Sequence, residues 1–147
     1  MTTHIGLSAE AAVLEQLESW VAAVHAQDID AIVAHYAPHI VAFDAVTKLQ
    51  FKGVAAYRDH WLACMEMCPG PMVFELHEVA IHADGEVAFC HALHRCGNTN
   101  DKGETEAGWL RMTSGYRRIE GQWKVVHEHF SVPFEMESGK ALFDLEP

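Results

Sequence analysis

A carboxylate at the end of an apolar segment is the first residue of this sequence whose position indicates chemistry. Asp44 follows the β-branched and aromatic residues 40–43. A carboxyl group that nearby aromatic side chains partly remove from water has a raised pKa, and it can then act as a general base on an acidic C–H bond or on water. Asp44 could instead cap the turn that starts at Ala45, so both interpretations stay open.

A histidine and an arginine share a second strand-like segment. Period-two alternation would place His91 and Arg95, together with Phe89, on one face of a sheet. A guanidinium group binds a carboxylate or a similar small anion through two parallel hydrogen bonds. The pattern therefore predicts a cationic wall suited to an anionic or carbonyl-bearing molecule. Glu128 could pair with Arg95 or His91, either in a structural ion pair or as part of a binding site.

Two histidines in a third strand-like segment raise the question of a metal site. His127 and His129 would project to the same face of a strand, roughly 7 Å apart. The pattern is not the helical HExxH motif, and the remaining candidate ligand, His91, should point the other way, so the sequence predicts no metal site. The four cysteines form no CxxC pair and are interpreted as free buried thiols: Cys64, Cys68, Cys90 and Cys96. No phosphate loop, nucleophile elbow or haem motif indicates a cofactor.

Three helices followed by strands must position these residues. Apolar residues at steps of three and four predict the helices, and period-two alternation predicts the strands. The predicted helices cover residues 9–26 with Ser8 as N-cap, residues 31–36 with Asp30 as N-cap, and residues from 54 to the break at 68–71. The predicted strands cover residues 40–43, 73–82, 87–95, 104–119 and 122–134. Connections of hairpin size make the strands antiparallel neighbours, which predicts an α+β fold with three N-terminal helices packed on a curved antiparallel sheet.

Composition sets the class of protein and excludes some partners. The chain has 147 residues, of which 50% are hydrophobic, and its net charge is −11. This length predicts one domain, residues 1–147, with a core at about 8–134 and an acidic tail at 135–147. The acidic balance disfavours binding to nucleic acid or to anionic membranes. Residues 1–7 are short and mixed and the cysteines are unpaired, so we expect a cytoplasmic protein without a targeting segment.

Several local strings resemble the nuclear transport factor 2-like superfamily. This superfamily includes ketosteroid isomerases, SnoaL-like polyketide cyclases and the association domain of calmodulin-dependent kinase II. The strings are DIDAIV at residues 28–33, VAFD at 41–44, GVAAYR at 53–58 and GQWKVVHEHFS at 121–131. The resemblance covers about residues 10–134 and implies a cone-shaped fold with a pocket between the helices and the concave face of the sheet. Proteins with this fold have many different functions, so the resemblance does not predict a particular activity.

The resemblance also implies positions for individual side chains. Asp44 matches the aspartate that is the general base of ketosteroid isomerases, and Arg95 matches a pocket arginine of the kinase association domain. The family register turns residues of the last two predicted strands inward. They are Leu110, Met112 and Ser114 in the first of these strands, and Val126, Glu128 and Phe130 in the second. The register turns a third group to the convex face, which commonly forms a homodimer: Trp109, Arg111, Thr113, Trp123, His127 and His129. A slip at the turn of residues 120–121 would exchange the faces on one of these strands.

The oxyanion-binding side of a ketosteroid isomerase is missing from the sequence. Trp20 and Trp61 stand at positions where that family has tyrosines, and Ser114 stands about where it has a protonated acid. Loss of one oxyanion donor typically costs roughly 3 kcal/mol of transition-state stabilisation, so we do not expect steroid isomerisation. His60 and His25 are interpreted as surface or helix-cap residues.

The sequence therefore predicts a cytoplasmic homodimer with a small-molecule pocket. Asp44 and His91 are the candidate catalytic residues of a cofactor-free isomerase, cyclase, hydrolase or dehydratase. The predicted ligand-binding residues are Arg95, Glu128, Trp20, Trp61, Tyr57, Phe89, Ser114 and Phe130. The alternative is a module that binds a ligand or associates with a second copy and performs no chemistry.

Overall fold

The computed structural model describes residues 8–147, so the predictions for residues 1–7 lie outside the described residues. Within this range three helices are present, as predicted: α1 (Ala9–His25), α2 (Ile29–Val33) and α3 (Val54–Met67). The predicted N-cap of α1 is confirmed, because the Ser8 hydroxyl accepts a hydrogen bond from the Ala11 N–H at 3.2 Å. None of the helices within residues 8–147 is long and apolar enough to cross a membrane.

The second helix begins earlier than predicted and is shorter. Gln27 has a φ of 53°, which ends the first helix, and the Asp28 carboxylate then accepts a hydrogen bond from the Ala31 N–H at 3.1 Å. The prediction of Asp30 as the N-cap was therefore wrong. The prediction that the helix reaches Tyr36 was also wrong, because Tyr36 is the first residue of a strand.

In the described part of the chain, six strands form one sheet that is antiparallel except at a single pair. The strands are β1 (Tyr36–Phe43), β2 (Phe51–Lys52), β3 (Met72–Asp84), β4 (Val87–Thr99), β5 (Thr105–Ile119) and β6 (Gln122–Ser131). Their order is β2-β1-β6-β5-β4-β3, and β1 runs parallel to β6. Hairpins join β3 to β6 as predicted. The chain enters β1 from the helices, so this strand lies beside the last strand of the meander without being its hairpin partner.

The last hairpin combines a tight turn with a bulge. Glu120 and Gly121 both have positive φ, 52° and 79°, as the central residues of a two-residue hairpin turn require. The register then shifts between Gly115 and Tyr116, so that β6 carries one extra residue. The predicted inward orientation of Glu128 holds, since it is opposite the buried Ser114.

Because of this bulge, side chains at the start of β6 point to the face of the sheet opposite to the one predicted. Val125, and not Val126, is buried in the core. Trp123 was predicted on the convex face, but it is also part of the core. An extra residue shifts every side chain on one side of it to the opposite face, which is why unbroken alternation back from Glu128 misplaces these two positions.

An aromatic cluster joins the helices to the sheet. Trp20 of α1 contacts the ring edge of Trp61 of α3, with ring centroids 6.1 Å apart. The Trp20 ring also packs against Phe74 of β3 at 5.1 Å and stacks on Phe130 of β6 at 6.4 Å. The helices therefore cover only part of the inner face of the sheet, and a pocket forms next to α3.

The acidic tail folds back on the sheet. Beyond β6, Phe134 and Ala141 form an isolated bridge, and the Phe143 carbonyl accepts a hydrogen bond from the Trp109 N–H of β5 at 2.9 Å. A glycine at position 108 allows this close approach, since a Cβ atom there would lie 2.9 Å from the Phe143 oxygen. The tail thereby brings Phe143 to the rim of the pocket.

Candidate functional site

A pocket of about 310 Å³ lies between α3 and the inner face of the sheet. Apolar side chains form most of its wall, and they come from α3, from three strands and from the tail: Trp61, Met65, Met72, Phe74, Leu110, Phe130 and Phe143. A few polar side chains interrupt this wall: Asp44, His60, Cys64 and His94. A mostly apolar cavity with a few convergent polar groups is typical of a small-molecule site.

Asp44 directly follows β1 and lines the pocket, as predicted. Its Oδ1 atom accepts a hydrogen bond from the Ala45 N–H at 2.7 Å, which is the turn-capping role left open above. Its Oδ2 atom makes a short hydrogen bond with Nε2 of His60. The turn-capping interpretation is therefore confirmed at Oδ1, and the role of general base stays a prediction.

His60 belongs to this pocket and not to the surface, so its interpretation as a surface or helix-cap residue was wrong. Only 7% of the residue is exposed, because it lies on the face of α3 that meets β1 and β2. Its ring stacks on that of Phe51, with centroids 4.0 Å apart. Stacking and the hydrogen bond to Asp44 together hold the imidazole against the pocket wall.

Cys64 stands one helical turn beyond His60 on the same face of α3. Its Sγ atom lies 3.6 Å from Nε2 and 4.0 Å from Nδ1 of His60. Burial, with a further contribution from the Asp44 charge, raises the pKa of this thiol to about 11. At neutral pH the free side chain is therefore a thiol and not a thiolate.

His94 supplies a neutral imidazole on the opposite wall. Its Nδ1–H donates a hydrogen bond to the Glu75 carbonyl oxygen at 3.2 Å. Burial lowers the pKa of His94 to about 4, so its other nitrogen, Nε2, carries a lone pair at neutral pH. A ligand hydroxyl or amide could donate a hydrogen bond to that lone pair.

Glu128 lies behind the pocket wall in a chain of buried hydrogen bonds. Its Oε2 atom accepts one hydrogen bond from the Tyr57 hydroxyl at 2.5 Å and one from the Tyr36 hydroxyl at 3.0 Å. The Trp20 indole N–H donates in turn to the Tyr36 oxygen at 2.9 Å. Burial raises the pKa of Glu128 to about 7, although both tyrosine hydrogen bonds oppose this rise.

The predicted pairing of Glu128 with Arg95 or His91 was wrong, because those residues lie on the other side of the sheet. On β4 the buried residues are Ala88, Cys90, Ala92 and His94. His91 and Phe89 are therefore exposed on the outer face, where the Phe89 ring stacks on His82 at 4.9 Å. Arg95 donates a hydrogen bond to Glu75 at 3.2 Å on that face.

Alternation correctly grouped Phe89, His91 and Arg95, but the wrong face of β4 was assigned to the pocket. The inner face carries small side chains because the large aromatic side chains of the helices fill the space above it. The cationic wall predicted for the pocket is therefore absent from it, and the β4 side chains with titratable groups in the wall are His94 and Cys96.

The other predicted ligand-binding residues divide into two layers. Tyr57, Trp61 and Phe130 line the pocket. Trp20 and Ser114 are buried without lining it. The sequence interpretation did not place His60, Cys64 and His94 in the pocket. The four-residue spacing of His60 and Cys64 indicates that these two side chains share one face of the helix. The cysteines are free, as predicted, although among them only Cys90 is fully buried.

Comparisons with known proteins give a family and a set of similar structures. Residues 13–135 match the model of the SnoaL-like domain. The crystal structure of an NTF2-like protein of unknown function from Pseudomonas putida KT2440 is 53% identical in sequence, with a TM-score of 0.89 over 97% of this chain and 100% of that chain. A search of proteins with curated functions finds no match.

Two more distant structures show the same fold. The S. rosetta CaMKII hub is 24% identical, with a TM-score of 0.72 over 86% of this chain and 98% of that chain. Aln2 from a Streptomyces species is 12% identical, with a TM-score of 0.74 over 85% of this chain and 92% of that chain. At these identities the similarity extends to the fold alone.

Proposed function

The chain belongs to the SnoaL-like domain family, and from that premise we propose that it binds a small, mostly apolar molecule in the pocket and transfers a proton on it. One observation carries the proposal: a hydrogen-bonded carboxylate and imidazole, Asp44 and His60, stand in the wall of an otherwise apolar cavity. The substrate class is a compact molecule with a carbonyl group beside an acidic C–H bond. The product is that of an isomerisation, cyclisation or elimination that needs no cofactor.

Asp44 has the position of a general base. Its side chain is 19% exposed and that of His60 is 5% exposed, so the carboxylate is the member of the pair that a bound molecule can reach. The Ala45 N–H fixes one oxygen, and His60 holds the other toward the cavity. Orientation of a base by two hydrogen bonds lowers the entropic cost of proton transfer. Because the His60 Nε2–H donates to the ionised carboxylate, the proton taken from the substrate goes to Asp44 itself.

Exchange of α-protons for deuterium tests this role directly. Ketones, lactones and enols are incubated with the protein in deuterated water, and the rate is followed by NMR. Asp44→Asn should slow exchange by about 10²-fold or more, the usual contribution of a positioned base. Asp59→Asn is the matched control, because Asp59 is next to His60 in α3 but does not line the pocket, and it should leave the rate unchanged. Equal rates for wild type and Asp44→Asn would refute the role of Asp44.

The alternative of binding without chemistry has its own support. A developing oxyanion needs free hydrogen-bond donors. The Tyr57 hydroxyl donates to Glu128 and the Trp20 N–H donates to Tyr36, so among these aromatic donors only the buried N–H of Trp61 has no partner in the described part of the chain. A ligand that binds, with no exchange in any carbonyl compound tested, would favour this alternative.

We also propose that the outer face of the sheet joins two copies of the chain. Val87 and Phe89 of β4 alternate with the buried Ala88 and Cys90, so both lie on the outer face. Val87 is 54% exposed and Phe89 is 48% exposed. His91, Trp109 and His129 share the outer face with Phe89. Exposed apolar side chains on an uncovered sheet face are typical of an interface between proteins.

A further inference from the structure

Three donor atoms of different chemistry meet at one point of the pocket wall. A carboxylate oxygen of Asp44, a ring nitrogen of His60 and the sulfur of Cys64 all lie within 4.8 Å of one another. We propose that these three residues bind one divalent transition-metal ion, and that Zn²⁺ is the ion that they fit best. Zinc accepts this mixture of oxygen, nitrogen and sulfur ligands, whereas Mg²⁺ and Ca²⁺ require oxygen ligands.

The separation of the sulfur and nitrogen atoms is that of two ligands of a tetrahedral ion. Zinc–sulfur bonds of about 2.3 Å and zinc–nitrogen bonds of about 2.0 Å, at a tetrahedral angle, place the two ligand atoms about 3.5 Å apart. The Cys64 Sγ and His60 Nε2 atoms are 3.6 Å apart. Asp44 Oδ2 is hydrogen-bonded to the same Nε2 atom, so an ion would replace the shared proton and move these two atoms to about 3.3 Å apart.

The arrangement is not that of a nucleophilic cysteine. In a Cys-His-Asp triad the imidazole contacts the thiol through one nitrogen and the carboxylate through the other. Here Asp44 and Cys64 both approach Nε2 of His60, and the Cys64 sulfur lies farther from Nδ1, at 4.0 Å. The similar distances of Sγ from the two ring nitrogens place the sulfur beside the imidazole ring and not in line with the Nε2 lone pair. The Cys64 or the His60 side chain must therefore rotate before both residues can bind one ion.

The fold brings these ligands together and leaves one coordination position open. His60 and Cys64 lie one turn apart on α3, and Asp44 is fixed at the end of β1 by the Ala45 N–H. All three line the pocket, so a fourth position faces the cavity and could take water or a pocket ligand. Three protein ligands with an open position are typical of zinc sites that bind small molecules.

This inference goes beyond the proposed function, because the ion needs no substrate to bind. The ion would occupy the Asp44 and His60 atoms that are assigned above to proton transfer. Proton exchange is therefore measured on protein treated with a chelator, and metal binding is measured without substrate. Each measurement can therefore refute its own proposal while the other proposal stands.

The experiment titrates the reduced, chelator-treated full chain with Zn²⁺ against a fluorescent indicator, and separately with Co²⁺ as an optical probe. We expect one ion per chain and a thiolate-to-cobalt charge-transfer band. Cys64→Ser should weaken Zn²⁺ binding at least about tenfold and remove the band. Cys96→Ser is the matched control, since Cys96 lines the same pocket outside the cluster and should leave both signals unchanged.

A measurement on the wild type keeps the proposal testable if Cys64→Ser does not fold. Zn²⁺ should slow alkylation of Cys64 but not of Cys96, as measured by mass spectrometry of peptides. The absence of Zn²⁺ binding, unchanged binding in a folded Cys64→Ser variant, or equal alkylation of Cys64 with and without Zn²⁺ would each overturn the proposal.

Discussion

Glu128 should make the stability of this protein fall as pH rises, and Glu128→Gln should remove that fall. The carboxyl group is 1% exposed, and burial raises its pKa to about 7 from an ordinary 4.5. Between these two values the folded chain keeps a proton that the unfolded chain has lost. Stability therefore decreases as pH rises through this range, and the decrease is complete above the folded pKa.

The size of the effect follows from the shift. One pKa unit corresponds to about 1.36 kcal/mol, so a shift from 4.5 to about 7 corresponds to about 3 kcal/mol of unfolding free energy. An uncharged glutamine still accepts hydrogen bonds from Tyr57 and Tyr36 through its carbonyl oxygen. Its amide group adds donors, but any cost of these donors is the same at every pH.

Urea unfolding from about pH 4.5 to pH 8.5 measures this difference. The wild type should lose about 3 kcal/mol more than Glu128→Gln across this range. Glu15→Gln, a change of the same kind at an exposed position of α1, should keep the wild-type slope. Parallel curves for the wild type and Glu128→Gln would show that the buried carboxyl group does not hold a proton at neutral pH, and the reasoning from burial would be refuted.

Two further predictions concern the tail and the outer face of the sheet. Gly108→Ala should displace the tail, since the new Cβ would lie 2.8 Å from Phe143 Cβ. Loss of the hydrogen bond from the Trp109 N–H to the Phe143 carbonyl should lower the free energy of unfolding by about 1 kcal/mol. Hydrogen exchange of the Trp109 amide should become faster. Gly115→Ala, with its nearest atom at 3.7 Å, should change neither quantity. Sedimentation at micromolar concentration should show a dimer that Trp109→Glu or His129→Asp dissociates, and a monomeric wild type would disprove the interface.

Within residues 8–147, local sequence patterns predicted three helices and five of the six strands; β2 was not predicted, and α2 was displaced by a few residues. Ser8 caps α1 as its position before an apolar helical pattern predicts, and the two-residue turn at 120–121 joins two strands as its residue types predict. These signals act over a few residues, through capping, periodicity and turn conformation. The resemblance to a known superfamily added the three-dimensional arrangement, and the match to the SnoaL-like domain confirms it.

The sequence did not determine which face of β4 is buried or the register of β6. Alternation groups Phe89, His91 and Arg95 correctly, but either face of a strand fits the same alternation, and packing of the helices decides which one is inside. The bulge in β6 likewise has no clear local signal, and it decides that Val125 and not Val126 is buried.

The site itself depends on contacts between distant parts of the chain. His60 and Cys64 share a helix face in the sequence, but the sequence does not show that this face meets Asp44, which precedes His60 by 16 residues and directly follows β1. Glu128 finds its partners 71 and 92 residues away, at Tyr57 and Tyr36. The sequence by itself determined the residue types and the local elements. Tertiary packing decided which polar groups share a buried environment, because burial and close approach, and therefore the pKa shifts and ligand geometry, arise only when the helices close over the sheet.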